Sequence, residues 1–284
     1  MYYTLLGISA LLFSFVFIFS DRYRAKYGSG IDAVLKFTAG SHFAGLAALL
    51  IINRFHFEFT GFTCALACVA AADSILFSIF SLRALEKANL SVYSVLSMIG
   101  GMALPFAAGI LFFSEDLTAG KAICFALVTA SVLLTVKKGA GKGSLLLYAG
   151  VFITNGLYGV ISKFFTASSM PKTSEAAYSA MIEGFIVIFS LILLAAVKKK
   201  KSPVKTGPSA FVYMGGYGVM CAAGNYLLLI ALSVLSASAQ YPFVTGGVMI
   251  ISTVYSFFTP SKPCKREIIS VLLSLAGIAA LTLL

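Results

Sequence analysis

Apolar runs of about twenty residues recur along the whole chain and are separated by short polar connections. A helix of that length crosses a hydrocarbon core of ~30 Å. The composition agrees, because 60% of the 284 residues are hydrophobic, only 11% are charged and the mean hydropathy is +0.98. Ordinary soluble domains are about a quarter charged. The sequence therefore predicts an all-α integral membrane protein.

Ten of these runs are predicted to be transmembrane helices, and they leave room for neither a soluble domain nor a long extramembrane loop. The first run lacks the basic segment and small-residue cleavage site of a signal peptide, so it is predicted to be a membrane helix. The predicted spans are 2–20, 32–52, 62–82, 90–113, 119–136, 145–165, 175–197, 209–230, 237–258 and 267–284.

The net charge of +11 is concentrated in alternate connections, which predicts membrane topology and not nucleic-acid binding. Lys and Arg are retained on the cytoplasmic side during insertion. The sequence thus predicts a bacterial cytoplasmic-membrane protein with both termini outside and basic loops in contact with anionic lipid. Connections after odd-numbered spans hold 16 of the 21 basic residues: Arg22, Arg24, Lys26, Arg83, Lys87, Lys137, Lys138, Lys142, Lys198, Lys199, Lys200, Lys201, Lys205, Lys262, Lys265 and Arg266. Connections after even-numbered spans hold three: Arg54, Lys121 and Lys172.

An internal repeat divides the chain into two halves of five helices, residues 1–140 and 141–284. Residues 84–135 and 231–282 each begin with Ala-Leu and continue through a Gly-Gly pair, a Phe-Phe pair and a polar loop to a helix rich in small residues. Because five is odd, the second half is predicted to insert upside down relative to the first. Inverted repeats of this kind are typical of secondary transporters, whose substrates bind near the midplane between the halves.

The two five-helix halves and the segment "SVYSVLSMIGGMALPFAAGILFFSEDLTAG" resemble the EamA-type branch of the drug/metabolite transporter superfamily. In that family the fourth helix ends in a Gly-Glu-like turn, and "FFSEDLT" supplies the acid as Glu115. The second half departs from the pattern, with "FFTPSKPCKRE" in place of an acidic turn. Many members also have cytoplasmic termini, the reverse of what the charges predict here. The resemblance implies a transporter of small metabolites with no ATPase.

Asp73 is the ionisable residue predicted to lie deepest in the membrane, in the stretch "ALACVAAADSILFSIF". A charge at that depth costs at least about 2.5–3.5 kcal/mol, so it needs a partner, an aqueous cavity or a function. His42 is at a similar depth in "TAGSHFAGL", whose small neighbours permit close helix approach. We therefore predict an Asp73–His42 pair that couples transport to protons, with a static hydrogen bond between helices as the alternative.

Lys36 and Glu183 are 147 residues apart and occupy equivalent positions of the two halves. Lys36 is near a helix end, where it is expected to reach the membrane surface or to pair with Asp32 one turn away. Glu183 is eight residues into its span, about 12 Å deep. We predict that it is a cavity acid that binds substrate or protons, or else the partner of Lys163.

Tyrosine and amide side chains recur at matching places in both halves and predict a wall of the substrate cavity. Their polar groups can bind a polar solute, while tyrosine rings offer apolar or cation–π faces; the alternative for any one tyrosine is an anchor at the membrane interface. Together with the acids, the predicted substrate-binding residues are Asp73, Tyr93, Tyr158, Glu183, Asn225, Tyr226, Gln240 and Tyr241, and the predicted proton-coupling residues are Asp73, His42 and Glu183.

Motifs for catalysis or cofactor binding are missing from the sequence. It contains no HExxH, GxSxG or P-loop motif, and two cysteines one turn apart, Cys64 and Cys68, have no histidine nearby to complete a metal site. We expect no enzymatic activity, catalytic residue, metal or cofactor. The predicted partners are membrane lipids and a small-molecule substrate, with no nucleic acid.

The predicted function is a secondary transporter that works by alternating access, with or without proton coupling. Its expected substrate is a small polar or amphipathic metabolite, either amino-acid-like or an organic cation. Two alternatives stay open at this point: a translocase of lipid carriers with the same architecture, and a membrane enzyme or receptor without transport.

Overall fold

The computed structural model describes residues 1–28, 30–87, 90–134, 145–197, 207–258 and 264–284. Within these ranges the chain forms ten α-helices and no strand. Their bounds are α1 Tyr2–Tyr27, α2 Ile31–Ile52, α3 Gly61–Lys87, α4 Leu90–Phe112, α5 Ala119–Leu134, α6 Leu145–Ala167, α7 Glu175–Ala196, α8 Pro208–Leu232, α9 Ala237–Phe257 and α10 Lys265–Leu283.

Six of the helices in the described part of the chain are long and apolar enough to cross a membrane, by length and composition: α1, α2, the Gly61–Ser81 part of α3, α7, α8 and α10. Two shorter apolar helical segments are Ser97–Phe112 and Ala119–Leu134. Large apolar side chains point outward, including Phe43, Ile51 and Phe211, each more than 60% exposed. Apolar patches of that extent are unusual on a soluble monomer, so an all-α membrane protein accounts for these surfaces.

Local sequence signals explain where several helices begin and end. Ser174 caps α7 by accepting a hydrogen bond from the backbone N–H of Ala177, and Pro208 occupies the first turn of α8. Helix α1 continues seven residues beyond its predicted end at residue 20, through residues that sustain a helix in water, and stops before Gly28 at a φ of +84°. Apolar periodicity alone therefore underestimates this helix.

Each half of the chain packs mainly against the other half. Helix α1 contacts α8 and α9, α2 contacts α7 and α8, α3 contacts α6 and α7, α4 contacts α6 and α9, and α5 contacts α10. The largest buried apolar cluster joins α3, α6 and α7 around Ala71, Phe165, Tyr178 and Ile182. The interior is thus built between the halves.

Small residues allow helices α2 and α8 to touch along their backbones. A Cβ atom added at Gly218 would collide with the carbonyl oxygen of Ser41, and one at Gly45 would lie 3.0 Å from the carbonyl oxygen of Gly218. Close approach through small residues is the usual way for helices to associate in lipid. The prediction that the small residues around His42 permit close helix packing is confirmed.

The connections after α2, α4, α6 and α8 lie together at one end of the bundle, which we call the carboxylate end (residues 53–60, 113–118, 168–174 and 233–236). Glu58 there contacts Ser174, and Glu115 contacts the start of α9. At the opposite end the Lys26 ammonium donates a 2.7 Å hydrogen bond to Ser209. Most of the clustered basic residues of the other connections lie outside the described side chains, among them 83, 87, 137, 138, 142, 198–201, 205 and 262.

Candidate functional site

A buried acid–histidine pair lies where α2, α7 and α8 meet. The His42 Nδ1 atom is 2.6 Å from the Glu183 Oε2 atom, and the two side chains are 16% and 7% exposed. The same Glu183 oxygen would lie 3.0 Å from a Cβ atom at Gly45. The close α2–α8 contact therefore leaves little free space around this carboxylate, which lies beside the histidine.

Helix α8 adds polar groups next to this pair. Cys221 lies near Glu183 and is hydrogen-bonded to Tyr217 and Asn225. The Asn225 Nδ2 atom donates to the Cys221 Sγ atom at 3.4 Å. The predicted site residue Asn225 therefore lies close to the acid–histidine pair, through a cysteine that carries no recognisable motif.

Three tyrosines extend the polar groups from Glu183 toward the carboxylate end. Tyr158 in α6 lies near Glu183, Cys221, Tyr178 and Tyr241. The Tyr241 hydroxyl donates to the Gly159 carbonyl at 3.3 Å and is hydrogen-bonded to Ser162. The structure thus brings together an interior polar cluster, made of His42, Tyr158, Tyr178, Glu183, Cys221, Asn225 and Tyr241.

Tyr178 connects this cluster to the apolar core. Its ring stacks on Phe165 with centroids 3.9 Å apart and an interplanar angle of 8°. Its hydroxyl is buried and has no hydrogen-bond partner among the described residues. A buried hydroxyl without a partner loses its hydration uncompensated, so Tyr178 offers a free polar group inside the cluster.

Glu115 closes the cluster at the carboxylate end. Its carboxylate lies 2.8 Å from the Lys163 ammonium and accepts hydrogen bonds from the backbone N–H groups of Ala237, at 2.8 Å, and Ser238, at 2.9 Å. The Ser238 hydroxyl donates a fourth bond at 2.7 Å. A Cβ atom at Gly109 would collide with this carboxylate, so only glycine leaves room for it. Glu115 thereby caps the N-terminus of α9.

The environment of Glu115 keeps its carboxyl ionised. Burial alone would raise the pKa, but hydrogen bonds from Lys163, Ser238 and Ala237 outweigh burial and hold the pKa below its ordinary value. Glu58, on the other side of the same end, accepts a 2.6 Å bond from the Ser174 N–H and a 2.9 Å bond from the Ser174 hydroxyl. Mainly because of the backbone bond, the pKa of Glu58 is also lowered.

Asp73 lies apart from this cluster and forms no pair with His42, which corrects the predicted Asp73–His42 contact. Asp73 is 4% exposed, and neither carboxyl oxygen has a hydrogen-bond partner in the described part of the chain. The physical reason is geometric: His42 points from α2 to α7, where Glu183 accepts it. The sequence correctly indicated buried ionisable groups and assigned the wrong partner.

The remaining predicted contacts divide in the same way. Lys36 pairs with Asp32 at 2.8 Å, as predicted. Lys163 pairs with Glu115, so the predicted lysine partner of Glu183 is wrong and its basic partner is His42. Each lysine pairs with a carboxylate at its own end of the bundle.

Two further predicted wall residues face other surroundings. Gln240 is fully buried and donates from its Nε2 atom to the Leu228 carbonyl at 2.9 Å, while Tyr226 packs beside Leu49 and Ala222. The side chain of Tyr93 lies outside the described residues. The interior polar cluster therefore contains five of the predicted residues: His42, Tyr158, Glu183, Asn225 and Tyr241.

Sequence reasoning missed Cys221 and Tyr178 as members of the site, and it named Lys163 with the wrong acid. Lys163 carried a signal, because a basic residue inside an apolar run needs an acid. Cys221 and Tyr178 carried none, since single cysteines and tyrosines are common in membrane helices. Among the described residues, no group of three or more His, Cys, Asp or Glu side chains could hold a metal ion.

The fold and this site define an all-α protein whose apolar helices enclose a string of polar and ionisable groups. Neither a protein-family model nor a curated protein matches the chain. Solved structures do match, 29 chains in all. One of them, described only as the crystal structure of a protein, is 16% identical and has a TM-score of 0.69 over 99% of this chain and 98% of its own. At that identity the likeness shows a shared fold alone.

Proposed function

We propose that the chain is a secondary transporter that moves a small polar or amphipathic metabolite, amino-acid-like or an organic cation, by alternating access. The observation that carries the proposal is the buried His42–Glu183 pair, 2.6 Å apart inside a protein of apolar helices. Burying two ionisable groups can cost more in lost hydration than their mutual attraction returns. Ionisable groups at such depth typically mark substrate, ion or proton pathways.

The helix contacts support two inverted five-helix repeats, divided near residues 140 and 141, which lie outside the described residues. If each helix is exchanged for the one five places along the chain, the pair α1–α8 becomes α6–α3, the pair α4–α6 becomes α9–α1, and the pair α2–α8 becomes α7–α3. All of these pairs are in contact. A two-fold arrangement of this kind suits a site between rocking halves. The resemblance to EamA-type transporters agrees with it.

The proposed orientation puts the carboxylate end and both termini outside a bacterial cytoplasmic membrane. Its support is the distribution of Lys and Arg, which favours the other end as cytoplasmic. A tag at the C-terminus that is accessible from the periplasm in intact spheroplasts is the expected result. Accessibility only after lysis would reverse the orientation.

In the proposed cycle the interior polar cluster binds the substrate, and the His42–Glu183 pair takes up a proton from water on one side of the membrane and releases it to water on the other. His42 can hold a proton at Nδ1, and Glu183 can accept it through Oε2, so one proton can be shared between the two atoms. Tyr158 and Tyr241 provide hydroxyl groups for a polar solute. Neutralising the acid lowers the cost of moving the site through a low-dielectric interior, which would couple the proton to the conformational change.

The test is uptake into proteoliposomes from a panel of amino acids and organic cations, with and without an imposed pH gradient. Gradient-driven uptake by the wild type is expected to be lost in Glu183→Gln, which keeps the shape of the side chain, while downhill exchange is retained. Asp73→Asn is the parallel variant, because Asp73 was also predicted to couple protons and lies outside the cluster. Absence of uptake for the whole panel, or equal gradient-driven uptake in both variants and wild type, would contradict the proposal.

A further inference from the structure

We propose that Glu115 is the latch of a gate at the carboxylate end, and that this latch holds the interior polar cluster closed on that side. The inference rests on the proposed function, because a gate has a role only in a protein that alternates between two accessible states. It assigns to Glu115 a conformational role beyond capping a helix. Its parts are Glu115, Lys163, Ala237 and Ser238.

The latch joins elements that are distant in the chain. Glu115 belongs to the connection between α4 and α5, Lys163 to α6, and the two N–H donors to the first turn of α9. Four polar contacts of 2.7–2.9 Å converge on one carboxylate. A relative movement of α6 and α9 must break some of these contacts. The full set of contacts therefore exists only while the two helices are close together.

The latch lies directly above groups of the cluster on the same two helices. Ser162 precedes Lys163 in α6, and Tyr241 is one turn beyond Ala237 in α9. The Tyr241 hydroxyl joins α9 to α6 through Gly159 and Ser162. Separation of α6 and α9 at the latch would therefore also open the tyrosine part of the cluster.

This pair of charges can open without stranding either ion in hydrocarbon. Lys163 is four residues from the end of α6, and Glu115 lies in a connection outside the helices. A lysine near a helix end can extend its ammonium group to the interface. His42 and Glu183, deeper in their helices, have no such exit. The Glu115–Lys163 contact can therefore break during a conformational change, whereas His42 and Glu183 must stay paired to avoid an unpartnered buried charge.

The second half of the sequence has no acid at the place that matches Glu115. The connection before α10, "FTPSKPC", contains no acid where the first half has Glu115. In an inverted repeat the two connections would gate opposite ends. A latch acid at this place in the first half alone favours a resting state closed at the carboxylate end.

The experiment measures access to a cysteine placed beneath the latch. Ser162, 3% exposed, is replaced by Cys in the full chain after the five native cysteines are changed to Ala. Proteoliposomes are treated with a membrane-impermeant maleimide from each side. Glu115→Gln is expected to raise the labelling rate from the carboxylate end about tenfold, as a shift of conformational equilibrium. Lys163→Gln is expected to raise it in the same direction.

Glu58→Gln is the matched control, because it removes an acid that caps a helix at the same end and lies away from Tyr241 and Ser162. It is expected to leave the labelling rate unchanged. Equal acceleration by Glu58→Gln and Glu115→Gln would overturn the latch, since it would show general loosening of that end. An unchanged rate in both Glu115→Gln and Lys163→Gln would overturn it as well.

The labelling experiment needs no substrate, so its failure is distinguishable from failure of the proposed function. Solute transport by the wild type, together with a labelling rate of the Ser162→Cys protein that does not depend on Glu115, would overturn the latch and keep the transporter. If labelling depends on Glu115 but the protein transports nothing from the panel, the result would support the opening of α6 from α9 and overturn the proposed function.

Discussion

Glu183 and Asp73 are both buried acids inside long apolar helices, 6% and 4% exposed, and they differ in their surroundings. Glu183 has the imidazole of His42 at 2.6 Å and a polar cluster beyond it. Asp73 has no hydrogen-bond partner for either oxygen among the described residues. The difference teaches that burial alone does not identify a functional acid, because a partner determines whether the charge can be held or exchanged.

The two acids also differ in how their helices are packed. Around Glu183, glycine and alanine bring α2 and α8 into backbone contact, so the position of the carboxylate is set by rigid neighbours. Asp73 lies on α3, whose buried neighbours Ala70, Ala71 and Ile75 belong to an apolar cluster. Four changes should break or sharpen this contrast.

The largest effect is expected from His42→Ala, which leaves Glu183 buried without its partner. Removing one member of a buried pair costs about 3–5 kcal/mol, because the other charge stays desolvated. The free energy of unfolding, measured by SDS titration in mixed micelles, should fall by that order. The double variant His42→Leu with Glu183→Leu should recover most of the loss. A single variant as stable as the wild type would contradict the pairing.

A smaller loss is expected from Gly218→Ala, because its methyl group would collide with the Ser41 carbonyl and separate α2 from α8. Overpacking of this kind costs about 1–3 kcal/mol. Gly184→Ala is the matched control, since a Cβ atom there meets nothing within 4 Å. The midpoint of thermal unfolding in detergent should fall for Gly218→Ala and stay near wild type for Gly184→Ala. Equal midpoints would show that α2 and α8 can move apart to accommodate the methyl group without a loss of stability.

Asp73→Val is expected to stabilise the protein, in contrast to any change at Glu183. An unpartnered buried polar group costs about 1–3 kcal/mol, and the substitution removes that cost, with some loss to the added volume. A rise of about 1 kcal/mol in the free energy of unfolding is expected by the same SDS titration. A clear loss of stability would mean that Asp73 has a partner that compensates its burial.

The smallest effect is a pH dependence at Glu115. Its pKa lies below the ordinary value of 4.5, so the folded state gains stability above that value and loses it as the pH falls through the lowered pKa. Glu115→Gln should remove that part, about 1 kcal/mol by analogy with helix caps. The midpoint of thermal unfolding, followed from pH 7 to pH 3, should converge between wild type and variant at low pH. A constant difference would contradict an ionised cap.

Most of the helical fold could be predicted from the sequence, because an apolar run in lipid has no alternative to a helix. The second predicted span, 32–52, agrees with α2 at Ile31–Ile52, and the ninth, 237–258, agrees with α9 at Ala237–Phe257. Errors occur where a helix continues into water, as α1 does up to Tyr27. There, polar helix formers continue the helix after the apolar run has ended, so hydropathy alone places its end too early.

The site could be predicted only in part, because a helical run shows depth and not neighbours. Glu183 and His42 were recognised as buried and ionisable, and their pairing required knowing that α2 packs on α7. Lys163 was recognised as a basic residue needing an acid, and its partner proved to be a loop residue, Glu115. Interhelix contacts arise from packing of small side chains such as Gly218, which hydropathy does not encode.

The Glu115 contacts also set an order of assembly during synthesis. Lys163 follows Glu115 along the chain far sooner than Ala237 and Ser238, which are 122 and 123 residues away. When the first half has been synthesised, Glu115 therefore has none of these donors. The ammonium group of Lys163 becomes available with α6, and the amides of α9 become available only near the end of translation. The ion pair can thus form once α6 has been made, and the full set of contacts at this end is complete only when the ninth helix has been made.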